Sequence, residues 1–122
     1  MSEQAKKVLI VEDYQAAAET FVELLEMLGC EAEYVMSGAD ARAAVAEQDY
    51  AIVFMDLNLP DISGLALVNE LRDSLAAERM PRFVAVSGFA QADIATENRA
   101  AFDFYLEKPL DIGRLDHILQ AS

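Results

Sequence analysis

Basic residues are scarce in this chain. Nine Lys and Arg stand against 22 Asp and Glu in 122 residues, a formal net charge of −13. That balance argues against a nucleic-acid-binding face, since affinity for DNA or RNA rests largely on Lys and Arg neutralising phosphates. It suits a divalent cation or a basic partner surface better. Cysteine is reduced to Cys30 alone. No internal disulfide can form, and a reducing compartment is expected. Cys30 follows Gly29 at a helix end and reads as a small core residue, not a nucleophile. No apolar stretch approaches the ~20 residues of a membrane span. Met1 to Lys7 is polar and lacks the apolar segment of a signal peptide. A cytoplasmic protein without membrane contact is expected. The single histidine, His117, has no acids at metal-binding spacing and reads as a surface or packing residue. No Walker-type or GxGxxG loop follows the first apolar run, which disfavours a nucleotide-binding enzyme.

What is present is a core-forming pattern. Hydrophobic residues make up 54% of the chain, and the length allows one domain, residues 1–122, without disulfide or metal staples. Val8–Val11, Ala32–Val35, Ala51–Met55 and Arg82–Val86 read as strands, and Phe102–Leu106 contains a fifth. Between them the apolar spacing is helical. Tyr14–Leu28 buries Ala17, Phe21, Leu24, Leu25 and Leu28, and Gly29 stops it. Ser37-Gly38 opens a helix with Ala41, Ala44 and Val45 inward. Ser63 caps one with Leu65, Val68, Leu71 and Leu75 inward. Asp93–Ala101 is a weaker helical pattern. Asp111 caps a last helix with Ile112, Leu115, Ile118 and Leu119 inward. Alternating strands and helices imply an α/β fold, a parallel sheet covered on both faces.

In such a sheet the carboxyl ends of the strands share one edge, where open α/β folds place their chemistry. Glu12-Asp13, Asp56 and Ser87 end the first, third and fourth strands, and the fifth leads into Lys108-Pro109. Each has a plain structural reading too. The acid pair suits a helix amino end, Asp56 a loop or cap, Ser87 a turn, and Lys108 the surface. Their convergence on one edge is what buried apolar strands alone do not require.

At these residues the sequence resembles the receiver domain of two-component response regulators, in the single-domain chemotaxis-type layout. The run Phe83–Asp111 is also similar to receivers of hybrid histidine kinases. The resemblance covers essentially the whole chain. It implies a flavodoxin-like, doubly wound five-stranded parallel sheet in the order 2-1-3-4-5, with five helices. It further implies that Glu12-Asp13 matches the metal-binding acids, and that Asp56, within Met-Asp-Leu-Asn-Leu-Pro-Asp-Ile-Ser-Gly, matches the phosphoacceptor. Ser87 matches the family Ser/Thr, Lys108 before Pro109 the Lys-Pro pair, and Tyr105 the switch aromatic. A cis Lys108-Pro109 bond and a metal contact from the Asn58 backbone carbonyl are implied in the same way. The sequence departs at Gly88 and Phe89, where many members begin with Ala, and at Ala101, a place often held by Gly.

The implied function is a bacterial-type phosphorylation-dependent signalling switch. Asp56 would accept a phosphoryl group from a histidine kinase or histidine phosphotransfer protein. Mg²⁺ or Mn²⁺ would be held by Asp13 and Asp56 directly and by Glu12 through water. Three carboxylates against one lysine leave a deficit that a divalent cation cancels, and Mg²⁺ favours oxygen ligands. Ser87 and Lys108 would bind the new phosphoryl oxygens, and Tyr105 would turn inward as Ser87 moves. The face of the fourth helix, fifth strand and fifth helix would then change. Tyr105 could equally be a static core aromatic. The chain would be a regulatory phosphoacceptor, not an enzyme acting on other substrates. With no further domain after Ser122, its output is expected to run through an unknown downstream protein or onward phosphoryl transfer. Two alternatives stand. One is a receiver-like scaffold that works without phosphorylation. The other is a haloacid-dehalogenase-type phosphatase. That class carries a second Asp two residues after the nucleophile, where this chain has Asn58, which cannot act as the acid.

Overall fold

Each apolar run becomes a parallel strand in the computed structural model, which describes residues 5–88 and 100–122. The strands are β1 (Lys7–Val11), β2 (Glu31–Val35), β3 (Ile52–Asp56), β4 (Arg82–Ser87) and β5 (Phe104–Glu107). They form one sheet in the order β2-β1-β3-β4-β5, the flavodoxin-like order that the resemblance implied. Among the described residues the α-helices are α1 (Gln15–Met27), α2 (Gly38–Glu47), α3 (Gly64–Ser74) and a C-terminal helix (Ile112–Ala121), with a 3₁₀ turn at Ala77–Arg79. The helix expected over Asp93–Ala101 falls almost wholly outside the described residues, as does Phe89.

The period-two geometry of a strand explains why these strands are apolar on both sides. Val8, Ile10, Ile52, Phe54, Val84, Val86 and Leu106 face one layer, where α1 sends Phe21 and Leu25 and the C-terminal helix sends Leu115, Ile118 and Leu119. Leu9, Val11, Val53, Met55, Phe83, Ala85 and Tyr105 face the other, against Ala41 and Val45 of α2 and Leu67, Val68 and Leu71 of α3. Arg42 of α2 pairs with Glu70 of α3 across that second layer. Arg72 of α3 pairs with Asp103 at the entrance to β5, and Asp103 also accepts the Phe83 amide at 2.8 Å.

The helix faces differ from expectation by small rotations. In α1, Ala18 is fully buried and Ala17 half-buried. In α3, Leu67 joins the core, and Leu65 and Leu75 lie half-buried against it. Ile112 is 48% exposed. It occupies the first turn of its helix, after β5 has ended at Glu107. Cys30 is half-buried against the core, and burial pushes its thiol pKa up. His117 is exposed. No described helix is long and apolar enough to cross a membrane.

Candidate functional site

The carboxyl edge of the sheet collects the charged residues. β1 continues into Glu12, whose amide donates to Val35 O at 3.0 Å and so stays in line with β2. Glu12 is a charged residue only 6% exposed. Its two oxygens face different partners. Oε2 accepts the Tyr14 amide at 3.3 Å, just before α1, and Oε1 accepts from Lys108 Nζ at 2.9 Å. Asp13 follows, exposed. The plain reading of this acid pair as a helix-end device is met only in part, because the first turn of α1 holds no acid.

Asp56 is the last residue of β3, paired with Val86 of β4. Its side chain is about seven-eighths buried, with 13% exposed. Oδ1 accepts the Asn58 amide at 2.9 Å, and Oδ2 lies 3.6 Å from Lys108 Nζ. Both carboxylate oxygens are therefore oriented. The loop behind Asp56 is tightly closed. Gly64 N donates to Leu57 O at 3.0 Å, and Asn58 and Ser63 form an isolated antiparallel bridge. A Cβ on Gly64 would lie 2.7 Å from Asp56 O and 2.9 Å from Leu57 Cα, so this corner has room only for glycine. Ser63 then caps α3 through the Ala66 amide at 3.1 Å.

Carboxylate oxygens of Glu12, Asp13 and Asp56 lie within 4.8 Å of one another. Like charges that close repel one another, and a counterion offsets the repulsion. Lys108 is the protein's own answer. Burial disfavours its ammonium, but the hydrogen bond to Glu12 and the field of Asp56 outweigh that and hold its pKa above the ordinary lysine value. The Lys108–Pro109 peptide is cis, as the resemblance implied. The Lys108 amide donates to Ser87 O at 2.7 Å, which docks the start of this loop on the end of β4. Ser87 is buried at 6% exposure, opposite Glu107 in the ladder. Tyr105 is also buried, with its ring edge-on to Phe102 at 6.1 Å.

The fold thus brings Glu12, Asp13, Asp56 and Lys108 together. It sets Ser87 and Asn58 on the flanking strand end and loop, and Tyr105 in β5, two residues before that strand ends at Glu107. Two features had no reading in the sequence. Asp61 reaches across to α2, 22 and 23 residues earlier in the chain. An open groove of about 450 Å³ runs beside the acids, lined by Tyr14, Ala17, Thr20, Phe21, Leu24 and Pro109 among others. Periodicity marks which residues are apolar, but not where two distant apolar surfaces leave a gap.

Residues 8–120 match the response regulator receiver domain family. The chain belongs to that family. Among curated proteins it is 31% identical over 110 residues to the polar-differentiation response regulator DivK of Brucella ovis, covering 89% of each chain. It is 26% identical over 122 residues to the hybrid signal transduction histidine kinase L of Dictyostelium discoideum, spanning 93% of this chain and 7% of that protein. Among solved structures, a CheY-like response regulator receiver domain from Methylobacillus flagellatus superposes with a TM-score of 0.89 at 61% identity, covering 96% of this chain and 98% of that one. The receiver domain of a sensor histidine kinase from Pseudomonas aeruginosa superposes with a TM-score of 0.85 at 28% identity, covering 96% of each chain, and carries a magnesium ion in its active-site cleft. This receiver has an acidic cluster of the kind that such an ion needs.

Proposed function

We propose that this receiver is a phosphorylation-dependent signalling switch whose phosphoacceptor is Asp56. The observation that carries the reading is the placement of Lys108 Nζ, 2.9 Å from Glu12 and 3.6 Å from Asp56, over a set of three carboxylates. A carboxylate held at a strand end, with an ammonium beside it and two further acids to take a cation, is what phosphoryl capture by a carboxylate requires. Positioning and charge stabilisation do most of the work in such transfers. A phosphorylation-independent scaffold has no use for this constellation.

In the reaction, an Asp56 oxygen attacks the phosphorus of a phosphohistidine. The P–N bond breaks, its electron pair returns to the imidazole, and the phosphoryl group becomes a mixed anhydride on Asp56. Water later cleaves the acyl phosphate to inorganic phosphate and the free carboxylate. Asp13 and Asp56 would bind Mg²⁺ or Mn²⁺ directly, Glu12 through water, and Asn58 through its backbone carbonyl. The bound ion supplies positive charge to the phosphoryl oxygens. The Asn58 amide orients Asp56. Lys108 is close enough to exchange its carboxylate contacts for a phosphoryl oxygen.

The switch rests on contacts that exist only after transfer. A near-complete shift takes about 5.5 kcal/mol of differential binding. Ser87 and Lys108 can supply two charge-assisted hydrogen bonds, each of roughly 1.5–3 kcal/mol. Movement of Ser87 would open space for Tyr105 to repack and so alter the face around β5. The donor is a histidine kinase or phosphotransfer protein. The mainly apolar groove beside Glu12, with Tyr14 68% exposed at its rim, offers such a donor a place to rest within reach of Asp56. The downstream partner is a protein that distinguishes the two states.

The test is intact-protein mass after incubation with acetyl phosphate and Mg²⁺. One phosphoryl adduct is expected on the wild type with metal and none on Asp56→Asn or without metal. An adduct that persists on Asp56→Asn would overturn the assignment.

A further inference from the structure

We propose that Asp61 is a positioning residue, which holds the loop that carries Asn58 to the cation site by clamping it onto the amino end of α2. The proposal rests on the reading of Asn58 and the acids as a cation site.

The geometry has three parts. First, Asp61 uses both oxygens. Oδ1 accepts the Gly38 amide at 2.9 Å and Oδ2 accepts the Ala39 amide at 3.1 Å. These are the first two residues of α2, whose amides have no partner within the helix. The Gly38 hydrogen bond, helped by that of Ala39 against desolvation, holds the Asp61 carboxyl below the usual carboxylate range. Second, the packing behind this contact is close. A Cβ on Gly38 would overlap Ile62 Cγ2, so the loop sits directly on the start of the helix. Third, the other end of the loop is closed by the Asn58–Ser63 bridge and by Gly64 N donating to Leu57 O. Only Leu59 and Pro60 separate Asn58 from Asp61. Leu59 packs against the core, and the ring of Pro60 fixes its φ. A loop closed at its base and clamped at its tip has little freedom left, and a displacement at Asp61 passes to Asn58.

An ordinary cap would not explain this arrangement. α2 already has a local cap, Ser37, whose Oγ accepts the Asp40 amide at 3.2 Å. Asp61 comes from a different element and adds a tether between α2 and the loop. That difference is the basis of the test, since Ser37→Ala weakens the helix end without touching the loop.

Mg²⁺ is titrated into the metal-free chain by calorimetry, for wild type, Asp61→Ala, Asp61→Asn and Ser37→Ala, with thermal midpoints recorded in parallel. Asp61→Ala is expected to weaken Mg²⁺ binding by roughly three- to tenfold, below the about 10–100-fold typical of groups bonded directly to a ligand. Asp61→Asn, which keeps one acceptor oxygen, should fall between Asp61→Ala and wild type. Ser37→Ala should lower the thermal midpoint and leave Mg²⁺ affinity unchanged. Wild-type affinity in Asp61→Ala, or equal weakening in Ser37→Ala, overturns the positioning role while the cation site stands. Absence of Mg²⁺ binding in the wild type overturns the cation site and this inference with it. Should Asp61→Ala not fold, Asp61→Asn carries the test, with at least about twofold weakening expected and wild-type affinity overturning it.

Discussion

Lys108 donates to Glu12 at 2.9 Å although the two lie 96 residues apart in sequence. The contact joins the ends of β1 and β5, which are separated in the sheet by β3 and β4. The lysine is thus a resident counterion for acids that a divalent cation would otherwise neutralise.

In the proposed cation site, that would make Lys108 a competitor of the ion. Removing its charge should strengthen Mg²⁺ binding. For a part-exposed pair the interaction is on the order of 1 kcal/mol, so Lys108→Met should tighten Mg²⁺ by roughly fivefold. Calorimetry gives the answer directly. Unchanged or weaker binding would mean that Lys108 does not oppose the ion.

Ser87 is expected to read the phosphoryl group without being needed for its capture. Ser87→Ala should still form the acetyl phosphate adduct, but lose a hydrogen bond of roughly 1.5–3 kcal/mol to the modified Asp56. The ring resonances of Tyr105, followed by NMR with beryllofluoride as the phosphoryl stand-in, should shift in the wild type and much less in Ser87→Ala. Equal shifts would uncouple Tyr105 from Ser87.

Gly64→Ala tests the corner behind Asp56. The added methyl would meet backbone at 2.7 Å and 2.9 Å, not a side chain that can turn away. A loss of about 1–3 kcal/mol in urea unfolding is expected, the range for overpacking. Wild-type stability would show that the corner can open.

Tyr50 sets an alkaline limit away from the site. It is 5% exposed, its hydroxyl donates to Glu33, and burial followed by that hydrogen bond pushes its pKa upward. The unfolded chain releases this proton near pH ~10, whereas the folded chain keeps it. The stability contribution is therefore complete below about pH 10 and is lost as pH rises toward the folded value. Tyr50→Phe should flatten the decline of stability above about pH 10. An unchanged slope would assign that decline to other groups.

The helix faces show where pattern reading stops. Ala17 and Ala18 are equivalent by composition, and a small rotation of α1 on the sheet chose Ala18 for the core. Ile112 falls on the apolar stripe of its helix yet is exposed, because a stripe does not say which of its residues are covered. Asp61 was invisible for a related reason. Its partners are the backbone amides of Gly38 and Ala39, and no side-chain pattern marks a backbone donor.

What the sequence determined by itself is the alternation of elements and the chemistry at their ends. Val8–Val11 and Ile52–Met55 are apolar without interruption because both faces of a parallel sheet are covered, and Glu12, Asp56 and Lys108 stand where those runs stop or turn. The tertiary structure alone decided the distances. Strand register and crossover direction brought Lys108 onto Glu12, closed the Asp56 loop on Gly64 and clamped Asp61 to α2. Those contacts join residues distant in the chain, and their geometry comes from packing layers against one another, which no local periodicity encodes.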